Sequence, residues 1–171
     1  MILGAIIAGG RSSRFGSDKA EALLGGAPLI DHAAAVLRPF VDAIVLCGRD
    51  RAGWMGLDDV PRAGLGPLGG IAAALRYADA ESYHAVLTIG CDMPRAPTAL
   101  IEALIAEPPA YCRDAPILGC WPASLATDLE RHVSTDPRRS IRGWGEAIGA
   151  TPIASPEPLA NINTLADLSK A

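Results

Sequence analysis

Residues 1–19 are MILGAIIAGGRSSRFGSDK, and this stretch decides the fold. Ile2 to Ala8 is an unbroken apolar run rich in branched side chains, which is typical of a strand covered on both faces of a parallel sheet. After the run come glycines, serines and cations, namely Gly9, Gly10, Arg11, Ser12, Ser13, Arg14, Gly16 and Lys19. Because glycine has no Cβ, its backbone N–H can approach a ligand closely, and neighbouring cations suit a multiply charged anion. The stretch predicts a buried first strand followed by a phosphate-holding loop.

The stretch matches neither of the two best-known glycine-rich loops. The Walker motif places its lysine directly after a glycine, whereas Lys19 lies three residues after Gly16, and the dinucleotide fingerprint Gly-x-Gly-x-x-Gly is missing. The alternative without a function is an ordinary strand and solvated turn whose charges serve solubility.

A closer match is found in nucleotidyltransferases that build a nucleoside diphosphate linkage. Residues 7–19, IAGGRSSRFGSDK, resemble the molybdenum cofactor guanylyltransferase motif Leu-Ala-Gly-Gly-x-Ser-x-Arg-Met-Gly-x-Asp-Lys. The resemblance implies a nucleotide-binding loop that includes Ile7, Ala8, Gly9, Gly10 and Lys19. It also implies that Arg14 and Lys19 neutralise phosphate charge in catalysis. Phe15 departs from the motif, since it replaces the methionine.

Composition limits the possible classes of protein. The chain has 171 residues, which predicts one domain, and the resemblance implies that this is a nucleotidyltransferase domain over 1–171. Its net charge of −4 argues against a general nucleic-acid binder. No apolar run approaches the roughly 18 residues that span a bilayer, so we expect a cytoplasmic protein that does not bind a membrane. The four cysteines and three histidines lack ligand spacing, which favours free buried thiols over a zinc site or disulfides.

Strands and helices alternate along the chain. Pro28 to Phe40 has apolar residues at helical spacing, and the apolar run Ala43 to Cys47 follows as a second strand. Strand, helix and strand at this distance form a parallel unit with a right-handed crossover. Further helices are predicted from Pro67 onward, over 97–105 and 122–133, and ending near Ile148; further strands are predicted over 84–90, 110–112, 116–121 and 151–154.

The segment GLGPLGGI, residues 64–71, predicts a helix that begins at Pro67 with an open, glycine-rich N-terminus, which attracts anions. The family carries Gly-Pro-Leu-Ala-Gly here, preceded by an aspartate seven residues before its first glycine. Counting back from Gly66 reaches Asp59, so the resemblance implies that Asp59 contacts the guanine nucleotide. A helix start with a solvated acidic turn is the alternative.

The third strand, His84 to Gly90, ends in Cys-Asp-Met-Pro, which places Asp92 where open α/β sheets bind ligands. Magnesium needs few protein ligands when phosphate oxygens complete its shell, so Asp92 is the predicted Mg²⁺ ligand. The family carries Cys-Asp-x-Pro here and uses that aspartate for magnesium. A simple Asp-x-Pro turn is the alternative.

Near the end of the sequence, Asn161 and Asn163 alternate along an extended segment, so both amides can face the same way. The family has Asn-x-Asn-Thr here, and the resemblance implies that both asparagines bind the acceptor. Three arginines, Arg138, Arg139 and Arg142, could face an anionic second substrate, but an exposed basic face is the favoured interpretation.

Together, the four motifs imply a three-layer, Rossmann-like α/β nucleotidyltransferase fold with a mostly parallel central sheet and helices on both faces. The implied reaction transfers GMP from Mg-GTP to molybdopterin, with molybdenum cofactor delivery proteins as further partners. Cys47 departs from the family, which has asparagine at that strand end, and this puts base contact there in doubt. A cytidylyltransferase, a sugar-phosphate nucleotidyltransferase and a nucleotide-binding adaptor without turnover remain as alternatives.

Overall fold

The computed structural model describes residues 1–9, 18–162 and 167. The predictions for Gly10, Arg14, Phe15, Asn163 and Thr164 lie outside the described residues.

Strands and helices alternate through the described part of the chain. The strands are β1 (Ile2–Ile7), β2 (Leu23–Leu24), β3 (Ala27–Pro28), β4 (Ala43–Cys47), β5 (Met55–Leu57), β6 (Ala85–Gly90), β7 (Ala110–Cys112), β8 (Gly119–Pro122) and β9 (Thr151–Ile153). The α-helices are α1 (Leu29–Leu37), α2 (Pro67–Ala80), α3 (Thr98–Ala106), α4 (Ala126–Thr135) and α5 (Ile141–Ala147). Short 3₁₀ turns cover Lys19–Glu21, Arg38–Phe40 and Ala123–Leu125. None of these helices is both long and apolar enough to cross a membrane.

The central sheet has the strand order β5-β4-β1-β6-β8-β7-β9. β1 pairs in parallel with β4 on one side and with β6 on the other, as predicted for the three inner strands. β8 runs antiparallel to both of its neighbours, and the remaining pairings are parallel. The mostly parallel α/β fold is therefore confirmed.

The two faces of the sheet are covered by different helices, as the unbroken apolar run of β1 predicts. Leu3, Ala5 and Ile7 of β1 pack with buried side chains of α2 and α4 and with Trp144 of α5. Ile6 points the other way and packs with buried side chains of α1 and α3. Successive side chains of a strand alternate between faces, so a strand buried on both sides needs apolar residues at every position. The result is a three-layer fold.

Some element boundaries differ from the sequence-based expectations. The edge strand β5 and the β2–β3 hairpin were not predicted, because three-residue and two-residue strands carry too little periodicity to be recognised. β8 begins at Gly119 rather than at residue 116, since the N–H of Leu118 bonds back to the carbonyl of Ala115 and forms a turn. The helix expected over 122–133 begins as a 3₁₀ turn and becomes α-helical only at Ala126.

A buried polar network joins β6 to β8 and to the segment before β8. Thr88 is the one buried polar side chain among the described residues. Its hydroxyl donates to the carbonyl oxygen of Ile117 at 2.7 Å and accepts from the indole Nε1–H of Trp121 at 3.1 Å. Trp121 in turn packs against Trp144, with 4.7 Å between ring centroids. Thr88 therefore satisfies polar groups that the fold removes from water.

We predict that Thr88→Val lowers the free energy of unfolding by about 1–3 kcal/mol, because it leaves the Trp121 indole and the Ile117 carbonyl without their partner. Denaturant unfolding measures this change. The control is Thr151→Val on the exposed edge strand β9, for which a change within about 0.5 kcal/mol is expected. Equal effects of the two substitutions would contradict the importance of the network.

Candidate active site

The ends of β1, β4 and β6 lie level with one another at one edge of the sheet. Ile7 is in register with Cys47 of β4 and with Gly90 of β6. The pairing continues past the strand, since the N–H of Ala8 donates to the carbonyl of Cys47 at 3.0 Å. The loops that follow these strands therefore begin side by side, where open α/β sheets bind their ligands.

Two glycines allow the first two of these loops to touch. A Cβ at Gly48 would lie 2.5 Å from the Cα of Gly9, and Gly48 has φ +83°. Both the contact and the left-handed backbone require glycine at residue 48. A cleft of about 970 Å³ lies at these loops. It is lined by Gly9, Gly48, Arg49, Asp50, Asp58, Asp59, Ala63, Gly64 and Gly66.

Asp59 is held in this cleft by the loop before α2. Its carboxylate accepts hydrogen bonds from the backbone N–H groups of Gly64 and Leu65. Burial raises the pKa of Asp59 above its ordinary value, and the two backbone hydrogen bonds act in the opposite direction. Behind it lies Gly69 of α2, where a Cβ would be 3.0 Å from both Cβ and Cγ of Asp59. The glycine-rich helix start therefore sets the position of this carboxylate.

Cys47 does not line the cleft. Its side chain is buried, and it contacts Gly70 of α2, whose added Cβ would lie 3.1 Å from the Cys47 Cβ. Burial raises the pKa of the Cys47 thiol to about 12, so it stays protonated. The cleft is instead lined by the next two residues, Gly48 and Arg49. The absence of an asparagine at residue 47 therefore removes no group from the described cleft.

Lys19 and Asp92 come together across the sheet edge. Lys19 is the first residue of the 3₁₀ turn that follows the glycine-rich loop, and Asp92 follows β6. The Nζ of Lys19 lies 3.0 Å from Oδ2 of Asp92, and the side chains are only 16% and 28% exposed. The structure therefore brings these two predicted site residues into direct contact.

Asp92 lines a second recess in the described part of the chain. It has a volume of about 510 Å³ and is lined by Asp92, Asn161, Arg139, Ser140 and Arg142, together with Pro67, Ile141 and the segment Ala115–Ile117. Asn161 is brought there by its neighbour Ile162, whose N–H donates to the carbonyl oxygen of Asp92 at 2.9 Å. We call this recess the Asp92 cavity.

The three arginines near α5 differ in their surroundings. Arg138 is exposed and lies beside Asp136, as an exposed basic face predicts. Arg139 and Arg142 also line the Asp92 cavity; Arg142 is exposed, as the favoured interpretation predicts, whereas Arg139 is half-buried. Arg142 donates to the carbonyl of Arg113 at 2.7 Å, whereas the Nε of Arg139 is buried without a hydrogen-bond partner in the described part of the chain.

The sequence analysis did not identify Gly48 and Arg49 as residues of the cleft, and it did not favour a place for Arg139 at the Asp92 cavity. Arg49 could have been found, because it follows the second strand and must lie at the edge where that strand ends. Arg139 was named only within the less favoured alternative, because the position of a residue 49 residues after the end of β6 depends on tertiary packing.

The described residues contain no cluster of three or more metal-ligating side chains. Asp92 supplies a hard carboxylate oxygen that is partly exposed and lies next to a lysine. Mg²⁺ commonly binds through one or two carboxylates plus substrate phosphates and water. The residues present fit that mode of binding.

A cleft beside a glycine-rich loop, a lysine and an aspartate at the ends of parallel strands define the site of a nucleotide-using transferase. Residues 4–148 match the model of the MobA-like NTP transferase domain. The chain belongs to this family and is an enzyme, a nucleotidyltransferase.

Relatives match over nearly the whole chain. A molybdenum cofactor guanylyltransferase of Rhizobium johnstonii is 36% identical over 196 residues, which cover 99% of this chain and 91% of the relative. One of Rhodobacter capsulatus is 34% identical over 180 residues, covering 99% and 94%. Among solved structures, molybdopterin-guanine dinucleotide biosynthesis protein A of Archaeoglobus fulgidus superposes with a TM-score of 0.76 at 26% identity, covering 98% of this chain and 95% of that one.

We predict that Gly69→Ala weakens the binding of a nucleoside triphosphate, measured by titration with GTP, by about tenfold, because the new methyl group displaces Asp59 from the cleft. The control is Gly143→Ala in α5, where a Cβ would meet its nearest neighbour, Ser140 Cβ, at an ordinary 3.5 Å. Unchanged affinity in the Gly69 variant would show that the position of Asp59 is unimportant for binding.

Proposed function

We propose that this enzyme transfers GMP from GTP to the terminal phosphate of molybdopterin, giving molybdopterin guanine dinucleotide and pyrophosphate. The contact of Lys19 with Asp92 is the observation that carries the proposal, because it joins the turn after the glycine-rich loop to a residue that lines the Asp92 cavity. The two recesses adjoin at the start of α2, where Gly66 lines the cleft and Pro67 lines the cavity. Two substrates bound in these recesses would approach each other near the start of α2.

The cleft is the proposed GTP site. Guanine has two adjacent N–H donors on one edge, and a carboxylate such as Asp59 can accept both in a bidentate arrangement. The two hydrogen bonds that Asp59 already accepts leave further lone pairs for the base. Main-chain groups at Ile7, Ala8, Gly9 and, as the sequence predicts, Gly10 would lie beside the nucleotide. Glycine at residues 9 and 48 permits this close approach.

Catalysis in this proposal relies on positioning and charge. In-line attack on the α-phosphorus builds negative charge on the non-bridging and leaving oxygens. Lys19 would neutralise part of this charge, as would Arg14, which lies outside the described residues. Asp92 would hold Mg²⁺, which supplies further charge neutralisation and polarises phosphoryl oxygens.

The Asp92 cavity is the proposed acceptor site. The acceptor carries a phosphate monoester, and a guanidinium group such as that of Arg139 pairs well with phosphate. Asn161 lines the same cavity and adds amide donors, and the sequence predicts the same role for Asn163. A phosphate is already largely ionised near neutral pH, so the attacking oxygen needs no strong general base.

A pyrophosphate-release assay with purified protein tests the proposal against its alternatives. GTP with molybdopterin should release pyrophosphate, and CTP with molybdopterin or GTP with a sugar phosphate should release far less. Preference for CTP would favour a cytidylyltransferase, and preference for a sugar phosphate would favour that class of nucleotidyltransferase. Binding of GTP with magnesium but no release with any acceptor would favour an adaptor.

We predict that Lys19→Ala lowers the rate of transfer by about a hundredfold, because it removes a cation that stabilises charge developing in the transition state. Initial rates of pyrophosphate release measure the loss. The control is Arg76→Ala, which removes a cation from the exposed side of α2 and should leave the rate unchanged. Full activity of the Lys19 variant would contradict the assignment.

A second pair of variants tests the acceptor site. Arg139→Ala should raise KM for molybdopterin by about tenfold, since it removes a charge-assisted contact to phosphate, while KM for GTP stays the same. Arg138→Ala is the matched control, because Arg138 is the preceding residue but is exposed beside Asp136. If both substitutions leave KM for molybdopterin unchanged, the acceptor does not bind through Arg139.

A further inference from the structure

Arg49, at the start of the loop after β4, forms a bidentate ion pair with Asp18 next to the site. Its Nη1 donates to Oδ1 of Asp18 at 2.7 Å, and its Nη2 donates to Oδ2 of the same carboxylate. The guanidinium plane and the carboxylate therefore face each other through two parallel hydrogen bonds. This arrangement is directional as well as strong, because both Nη atoms of the guanidinium and both oxygens of the carboxylate take part in hydrogen bonds.

Asp18 also begins the turn that carries Lys19. Its Oδ1 accepts a hydrogen bond from the N–H of Ala20 at 3.2 Å, which caps the 3₁₀ turn Lys19–Glu21. Ala20 is buried among side chains on the face of the sheet that α1 covers, so the turn also packs against the hydrophobic core. The orientation of Lys19 thus depends on the residue immediately before it and on the one immediately after it.

These contacts form a continuous chain across the sheet edge. Arg49 follows β4 and holds Asp18; Asp18 caps the turn; Lys19 in the turn reaches Asp92 after β6. The two outer members come from strands on either side of β1. This series of contacts therefore connects the segment after the glycine-rich loop to the loop after β4 and to the loop after β6.

The pair also removes a charge that would oppose substrate binding. Asp18 is the residue next to Lys19, and an unpaired carboxylate there would repel a triphosphate or compete for the Lys19 ammonium. The hydrogen bonds from Arg49 hold the pKa of Asp18 below its ordinary value, so Asp18 stays ionised and paired near neutral pH. Lys19 can then interact with Asp92 and with phosphate.

We propose that Arg49 is a positioning residue that acts through Asp18, fixing the turn so that the Lys19 ammonium points at Asp92 and at the phosphates of the nucleotide. The inference rests on the proposed function, since it assigns the phosphates to Lys19. Arg49 itself lines the cleft, so direct contact with the nucleotide is the competing explanation that the test must separate.

The test is a double-mutant cycle between Arg49 and Lys19, with GTP affinity at fixed Mg²⁺ measured by titration calorimetry. Arg49→Ala in the wild-type background should weaken binding by about tenfold, because a charge-assisted pair is lost. In the Lys19→Ala background the same substitution should cost less than about twofold, because residues that act as one unit are not additive. An equal loss in both backgrounds would overturn the proposal, since Arg49 would then act without Lys19.

Two further variants separate geometry from charge and from folding. Arg49→Lys keeps the charge but cannot form two parallel hydrogen bonds, so it should recover only part of the affinity. Asp18→Asn keeps an oxygen for the turn while losing the ion pair, and should reproduce much of the Arg49→Ala defect with little change in Tm. Full recovery by lysine, or wild-type affinity in Asp18→Asn, would contradict positioning by the pair.

Transfer rates complete the experiment. Arg49→Ala should lower kcat by about tenfold to a hundredfold with unchanged KM for molybdopterin, since small misplacements of a catalytic group cost rates of this order. The matched control is Arg131→Ala, which removes an ion pair with Asp128 on the exposed side of α4. Unchanged kcat in the Arg49 variant would overturn the positioning role of Arg49 and leave the proposed function standing.

If instead wild-type protein releases no pyrophosphate from GTP and molybdopterin, the proposed function fails. The GTP affinities of the double-mutant cycle then still test whether Arg49 acts through Lys19.

Discussion

The placement of β1 between β4 and β6, with all three strands parallel, is the constraint on which the rest of the structure depends. Parallel pairing in register sets Ile7, Cys47 and Gly90 at the same level of the sheet. Everything attached to the ends of these strands is therefore brought to one edge. That edge holds the glycine contact, the loop arginine and the aspartate, although they are far apart in the sequence.

Local charge pairing explains how an acidic chain can offer a site for phosphates. The protein has a net charge of −4, so its overall field does not attract anions. At the sheet edge, however, Arg49 neutralises Asp18, and Arg51 pairs with Asp31 at 2.5 Å and lies 3.4 Å from Glu21. Such pairs offset the charges of acidic residues in and around the turn that carries Lys19. Phosphate binding is then decided over a few ångströms, where the effective dielectric is lower than in water.

The first turn of α2 divides the edge into two recesses of different character. On one side, glycines and Asp59 shape a cleft in which main-chain groups are accessible; on the other, arginine and asparagine side chains surround the Asp92 cavity. Asp92 lines the cavity, and it and its partner Lys19 are largely shielded from solvent. This division suits a reaction in which two anionic substrates must meet with their reacting ends close together, since positioning supplies much of the rate enhancement.

The sequence by itself determined the parallel α/β core, the helix that begins at Pro67 and the placement of Asp92 after a strand, because these follow from periodicity and local motif spacing. It indicated Lys19 and Asp59 through the family resemblance. Only the tertiary structure decided that Gly48 rather than Cys47 faces the cleft, that Arg139 turns toward Asp92 while Arg138 does not, and that Arg49 holds Asp18. The physical reason is that such contacts join segments 30 to 50 residues apart, and their geometry depends on strand register and loop packing. Local sequence patterns carry no information about either.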